Sequence, residues 1–294
     1  MSSEQLTVTV DNTSPVIRYT PTQVTNDSNT GWTSYCIADN WRCDEHSAHA
    51  TGLDGATFAF SFWGVGVNLY GNLTLGMNFT LAIDGSPRAI NPGSGQDGQT
   101  LAEVQGLSAG QHTALITTIR GGSQSLLTFD KATITMGSAT SVNKTYIGGG
   151  SSAVVYGPQP NPPWSSPQTY TGTVTPAGID DTHYNASDKQ GATFYHKFQG
   201  AAFFWYGPCY LETGSYTVTI DGNANSQPQQ FNASLGYPNR VIESCLRYYA
   251  GGLSRGSGQQ HEFLATNAEN HWMTLQWLEV WDYELTSGGG STVG

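Results

Sequence analysis

The stretch GATFAFSFWGVGVNLYG at residues 55–71 returns as GATFYHKFQGAAFFWYG at residues 191–207. Both open with Gly-Ala-Thr-Phe, carry Phe-x-Gly in the middle and end with Tyr-Gly. Gly55 to Gly191 and Gly71 to Gly207 are the same step of 136 residues. Asp84-Gly85 in FTLAIDG meets Asp221-Gly222 in YTVTIDG at a step of 137. Upstream, VDNT (10–13) resembles VNKT (142–145), Trp32 matches Trp164, and IRYTP (17–21) matches VVYGP (154–158). Downstream, the Leu107-Ser to His112 segment matches Leu253-Ser to His261, and LLTFDKATITM lines up with WMTLQWLEVWD. Matches in one order, drifting only by loop-sized amounts, indicate duplication. The period is too long for a solenoid unit, so each copy should be a domain of its own. The reading is a first domain at 6–138, a second at 141–285, and a flexible Gly/Ser tail at 286–294. The boundary near 138–141 leaves almost no linker, which predicts two domains held close with a cleft between them, each around its own apolar interior.

Inside each copy the apolar period is 2. Phe58, Phe60 and Phe62 alternate with small or polar residues, as do Val65, Val67 and Leu69. FTLAIDG and HTALITTI read the same way and end at Gly or polar turn residues. Asp-Gly after alternating apolar residues signals a hairpin, because Gly supplies the positive φ such a turn needs. No segment carries a capped 3.6-residue stripe. The expected fold is all-β: two tandem antiparallel β-sandwiches of jelly-roll type.

Charged residues are only 11% of the chain and the formal net charge is −11. An acidic chain without a Lys/Arg cluster argues against nucleic acid or an anionic membrane as partner. No run of about 18 apolar residues suggests membrane insertion of this segment. No charged-then-apolar leader follows Met1. Seven Asn-x-Ser/Thr sites, at Asn12, Asn26, Asn72, Asn78, Asn143, Asn185 and Asn232, are candidate glycan acceptors. Four cysteines, Cys36 and Cys43 in one copy and Cys209 and Cys245 in the other, suit two disulfides in an oxidising compartment; four buried thiols are the alternative. Neither pair has zinc-site spacing. A secreted or cell-surface location is the preferred reading.

The order of motifs, an opening VD.T.P.I.Y, a Trp, a His-containing polar loop, GA.F.F.F.G..V..YG and Y.V.IDG, resembles the extracellular tandem-sandwich region of fungal, especially basidiomycete, surface proteins. Each unit there is similar to a galactose-binding-like jelly roll. The resemblance covers about residues 8–285. It implies a fold and an extracellular setting more than an activity. In that family a Ser/Gly-rich stalk and a membrane helix often follow, and the closing SGGGSTVG is in keeping with the start of such a stalk. No catalytic position transfers.

Sandwiches of this class often bind sugars through loops, where an apolar pyranose face stacks on Trp or Tyr and its hydroxyls pair with polar groups. GWTSYCIADNWRCDEHSAH offers Trp32, Tyr35, Trp41, Asp44, Glu45, His46 and His49. A Cys36–Cys43 bond would present Trp41 and Arg42 at the tip of a stapled loop, which loses less entropy on binding. Trp32 and Trp164, being repeated, read better as core plugs, whereas Trp41 has no partner in the second copy. GIDDTHYNAS offers Asp180, Asp181, His183 and Tyr184 at the corresponding place. The expected ligand-binding set is therefore Trp41, Tyr35, Asp44, His46, Asp181, His183 and Tyr184.

No cofactor is expected. Acid plus His in both loops would allow a structural Ca²⁺, although neither loop alone supplies the six to eight oxygens that ion needs. A glycoside hydrolase needs two carboxylates at one of two spacings; the candidates are Glu45, Glu212 and Glu243, the latter two beside the second cysteine pair. No GxSxG elbow points to a serine hydrolase, and the Gly-rich stretches lack the Lys of a P-loop. The favoured function is carbohydrate binding, with a glycan or polysaccharide as partner. Its rivals are a glycoside hydrolase with paired carboxylates in the inter-domain cleft and a non-catalytic, glycosylated structural or adhesive surface protein.

Overall fold

In the computed structural model the described residues are 3–21, 27–36, 43, 47–74, 76–90, 99–122, 124–169, 176, 179, 183–222, 228–234, 241–255 and 258–286. Their regular structure is all β, and every paired strand is antiparallel to its neighbours. No helix among them is long and apolar enough to cross a membrane.

The first half sets a five-stranded sheet against a larger one. The five-stranded sheet runs Arg18–Thr20, Thr57–Gly64, Gly110–Arg120, Met77–Ile83, Ser86–Arg88. Opposite it, Leu127–Gly148 lies between Glu4–Asp11 and Gly66–Leu73, with Gln99–Val104 beyond. The second half repeats both orders. Its five-stranded sheet runs Val154–Gly157, Thr193–Phe198, His261–Asn267, Ser215–Ile220, Gln229–Asn232. Opposite it, Trp277–Leu285 lies between the end of Leu127–Gly148 and Ala202–Tyr206, with Leu246–Ala250 beyond.

The alternation read from the sequence is the burial pattern. Phe58, Phe60 and Phe62 are buried on one strand, and Phe194, His196 and Phe198 on its counterpart, because successive side chains of a strand point to opposite faces. Trp32 packs edge-on against Phe58 at 5.5 Å and Trp164 against Phe194 at 5.9 Å. Asp84 and Gly85 both have positive φ, 53° and 76°, as a two-residue hairpin turn of the primed type requires.

The Asp of each Asp-Gly also holds a histidine on the next strand. His112 Nδ1 lies 2.7 Å from Asp84 Oδ2 and its Nε2 2.8 Å from Ser108 O. In the second half His261 lies 2.6 Å from Asp221 Oδ2 and 2.9 Å from Ser254 O. The amides of Thr113 and Glu262 donate to the other oxygen of their aspartates, each at 2.8 Å.

Four expectations change. VDNT does not correspond to VNKT: the Asn12 amide donates to Asp130 O and accepts Tyr19 OH on its carbonyl, while Gly149 does the same with Gln276 and Tyr156. Asn12 therefore matches Gly149, a step of 137 that agrees with the Tyr19–Tyr156 step. The junction at 138–141 lies inside one strand, Leu127–Gly148, which closes the first half and opens the second without leaving the sheet. Separate interiors were expected, yet the buried apolar residues of both halves form one connected cluster. Thr286, assigned to the tail, is still pinned, its amide donating to Ser138 O at 2.8 Å.

Candidate functional site

The halves are tied together by direct bonds. Arg18 Nη2 donates to Gln230 O at 3.1 Å, Ser14 Oγ to Leu246 O at 2.5 Å, the Cys43 amide to Val241 O at 3.1 Å, and the Trp63 amide to Tyr249 OH at 3.2 Å. Between these contacts a cleft of about 740 Å³ opens, lined by both halves. Phe60, Phe231, Tyr248 and Tyr249 are buried in its lining, and Trp63 is half-buried. Arg18, Ser61, Gln111, Thr113, Gln229 and Gln230 line it as exposed polar side chains. An aromatic wall with amide and hydroxyl groups around it can stack an apolar ring face and pair with hydroxyls.

Trp63 is seated by glycines of the other half. A Cβ on Gly251 would stand 3.2 Å from Trp63 Cβ and 2.7 Å from Met136 Cε. Next to it, a Cβ on Gly252 would overlap the indole. The sequence held a signal for this residue. Trp63 has Gln199 in the equivalent place of the second copy, so it departs from the repeat by the same criterion that singled out Trp41. Gln229, Gln230 and Tyr248 carry no comparable signal, because only the packing of one half on the other brings them to Trp63.

A second cavity, of about 750 Å³, shares Arg18, Gln230 and Phe231 with the first and is also lined by Asn12, Ser34 and His49. Among the described lining residues neither cavity has an Asp or Glu.

Of the residues expected to bind ligand, Tyr35 and Tyr184 line neither cavity. Trp41, Asp44, Glu45, His46, Asp180 and Asp181 lie outside the described residues, and so do the acidic groups expected to hold Ca²⁺. Among the described residues no three His, Cys, Asp or Glu side chains form a metal-sized group. His183 begins the strand His183–Ser187. Tyr184, on the same strand, is 6% exposed, buried in the protein rather than presented to a ligand. Tyr35 is 39% exposed. Glu212 is exposed, with its carbonyl accepting the Trp272 amide, whereas Glu243 is buried.

Both disulfides are formed, Cys36–Cys43 and Cys209–Cys245, as suits an oxidising compartment. Two candidate glycan acceptors are corrected. Asn12 is fully buried, its amide donating to Ser47 O and Oγ. Asn185 is buried and donates to Gly149 O and Tyr156 OH. Both amide nitrogens serve the fold and neither can receive a glycan while it holds. Asn78, Asn143 and Asn232 are exposed and Asn72 is half-buried; Asn26 lies outside the described residues.

No family model matches the chain, and no curated protein does. Among solved structures it is similar to a family two carbohydrate esterase from Cellvibrio japonicus at 16% identity, with 46% of this chain and 35% of that one covered and a TM-score of 0.32. It is similar to a two-domain esterase active on acetylated mannans, co-crystallised with mannopentaose, at 11% identity, 49% and 37% coverage and TM-score 0.35. A third is the CBM22-1–CBM22-2 tandem domain from Paenibacillus barcinonensis, at 9% identity, 89% and 86% coverage and TM-score 0.22. The matched part spans about a third of the length of each esterase.

Proposed function

We propose that the protein binds carbohydrate in the cleft between its two halves, and that it does so as a secreted or cell-surface protein of the fungal tandem-sandwich kind. The observation that carries this reading is the lining: half-buried Trp63 with buried Phe231 and Tyr248 of the other half, edged by Gln111, Gln229, Gln230 and Arg18. Flat aromatic surface offers stacking to the CH face of a pyranose, and the amides and guanidinium supply donors and acceptors for its hydroxyls. A lining without carboxylates among the described residues suits binding and gives the paired-carboxylate hydrolase no support in this cleft. Two disulfides support the extracellular setting.

The test is calorimetric titration, after a glycan-array screen of fungal and plant polysaccharides, of the wild type and of Trp63→Ala and Gln111→Ala. The expected result is saturable binding that weakens at least tenfold in Trp63→Ala. Silence against every glycan, or binding indifferent to both substitutions, overturns the reading. A glycosylated spacer would then be favoured, with exposed Asn78, Asn143 and Asn232 as its glycan carriers.

A further inference from the structure

The second cavity holds a chain of hydrogen bonds whose direction is set by a backbone carbonyl. Asn12 Nδ2 lies 3.0 Å from Ser47 O. A carbonyl only accepts, so that atom is the amide nitrogen and Asn12 Oδ1 is the one facing His49 at 2.8 Å. His49 Nδ1 must then carry the ring proton. Burial pushes the His49 pKa down to about 3, so the ring is neutral and Nε2 keeps its lone pair. Ser34 Oγ, 2.7 Å from Nε2, is therefore the donor. The chain continues past Asn12: Nδ2 also donates to Ser47 Oγ at 2.9 Å, and Ser47 Oγ donates to Asp11 Oδ1 at 3.3 Å. Every link points the same way, from a hydroxyl in a cavity to a carboxylate, and such chains polarise their members.

The backbone fixes the pair. Ser34 and His49 stand directly opposite each other on antiparallel strands, and Tyr19 stacks on the imidazole at 4.2 Å and 11°. The fold itself does not need this arrangement. In the second half Asn185 occupies the His49 position and bridges Gly149 O at 2.7 Å and Tyr156 OH at 2.6 Å, while Gly149 has no side chain to match that of Asn12. The structural task is done there without a Ser–His pair.

We propose that Ser34, His49 and Asn12 form an acyl-transfer site, as nucleophile, general base and orienting residue, for an uncharged carboxylic ester. Ser34 Oγ attacks the ester carbonyl carbon as its proton passes to His49 Nε2. The tetrahedral oxyanion collapses, the C–O bond to the alcohol breaks, and Nε2–H returns the proton to the leaving alkoxide. Water, deprotonated by Nε2, then attacks the acyl-serine; the carboxylic acid leaves and Ser34 regains its proton. Asn12 Oδ1 holds the tautomer throughout. Arg18, the cation among the described lining residues, lines the same cavity as a donor toward developing negative charge.

The test treats the intact protein with a fluorophosphonate, which phosphonylates activated serines, and maps the adduct by mass spectrometry. It also follows p-nitrophenyl acetate hydrolysis in the wild type and in Ser34→Ala, His49→Asn and, as control, Ser86→Ala. The expected result is one adduct on Ser34 and a fall in turnover of at least about 100-fold in Ser34→Ala and His49→Asn, with Ser86→Ala unchanged. An unlabelled Ser34 in folded wild type, or equal turnover in wild type and Ser34→Ala, overturns the proposal. Neither probe carries a sugar, so the outcome is independent of carbohydrate binding in the neighbouring cleft.

Discussion

Trp63 of the first half and Gly252 of the second meet so closely that a Cβ on Gly252 would overlap the indole nitrogen. Gly252 also has φ +65°, a conformation that side chains other than hydrogen rarely adopt. Both reasons oppose substitution. Gly252→Ala should cost about 1–3 kcal/mol through overpacking and backbone strain and displace Trp63 from the cleft. Thermal unfolding and the sugar-binding isotherm check it; an unchanged midpoint with unchanged affinity would show that the contact is unimportant.

The His112–Asp84 clasp should give stability a window in pH. Burial opposes charge on His112, but the bonds to Asp84 and Ser108 outweigh it and hold the imidazole above its ordinary range. The bond from His112, with that from the Thr113 amide, lowers Asp84. The histidine contribution is present below the ordinary imidazole value and is lost as pH rises through the raised one. The aspartate contribution is present above the ordinary carboxylate value and is lost as pH falls through the lowered one. The pair should therefore help most between about pH 4 and 6.5. His112→Ala should lose more stability at pH 5 than at pH 9, as read by urea midpoints at both.

His49 should make the protein acid-labile. Its folded pKa of about 3 lies well below the ordinary imidazole value, so between the two the unfolded chain binds the extra proton. Stability should fall with acidification from pH 6.5 toward 3, with a slope approaching roughly 1.4 kcal/mol per pH unit. Asp11 acts in the opposite sense: burial pushes it up to about 6, so its share falls as pH rises from 4 toward 6. His49→Asn should flatten the first trend and Asp11→Asn the second. Equal slopes in all three proteins would contradict both.

Glycan occupancy should divide the seven acceptor sites. After expression in a eukaryotic secretory host, peptide mapping should find glycan on some of Asn78, Asn143 and Asn232 and none on Asn12 or Asn185, whose amide nitrogens are already used in the interior. Glycan on Asn12 would mean that its bonds to Ser47 form late or not at all.

The two disulfides should differ in worth. Cys209–Cys245 spans 36 residues and Cys36–Cys43 only 7. Loop-closure entropy gives ~4 kcal/mol for the longer and ~2 kcal/mol for the shorter. Paired Cys→Ser variants, compared by denaturant midpoint, should rank in that order.

Alternation at Phe58, Phe60 and Phe62 and the Asp-Gly turns were sufficient to determine from sequence that the fold is all β, and the doubled phrase led to the expectation of two like halves, whose described strands have the same order. Those signals are local: a strand's face and a turn's φ depend on the residues themselves and their immediate neighbours. The cysteine partners followed from proximity within each half. Tertiary structure alone decided that Leu127–Gly148 runs unbroken through the expected junction and that both halves share one interior. It likewise decided that Asn12 is spent inside the protein and that Ser34 faces His49 across a strand pair. Each of these depends on register or on one half packing against the other. Register shifts by a single residue exchange one face for the other, and a linear sequence does not carry the distance between residues brought together by that packing.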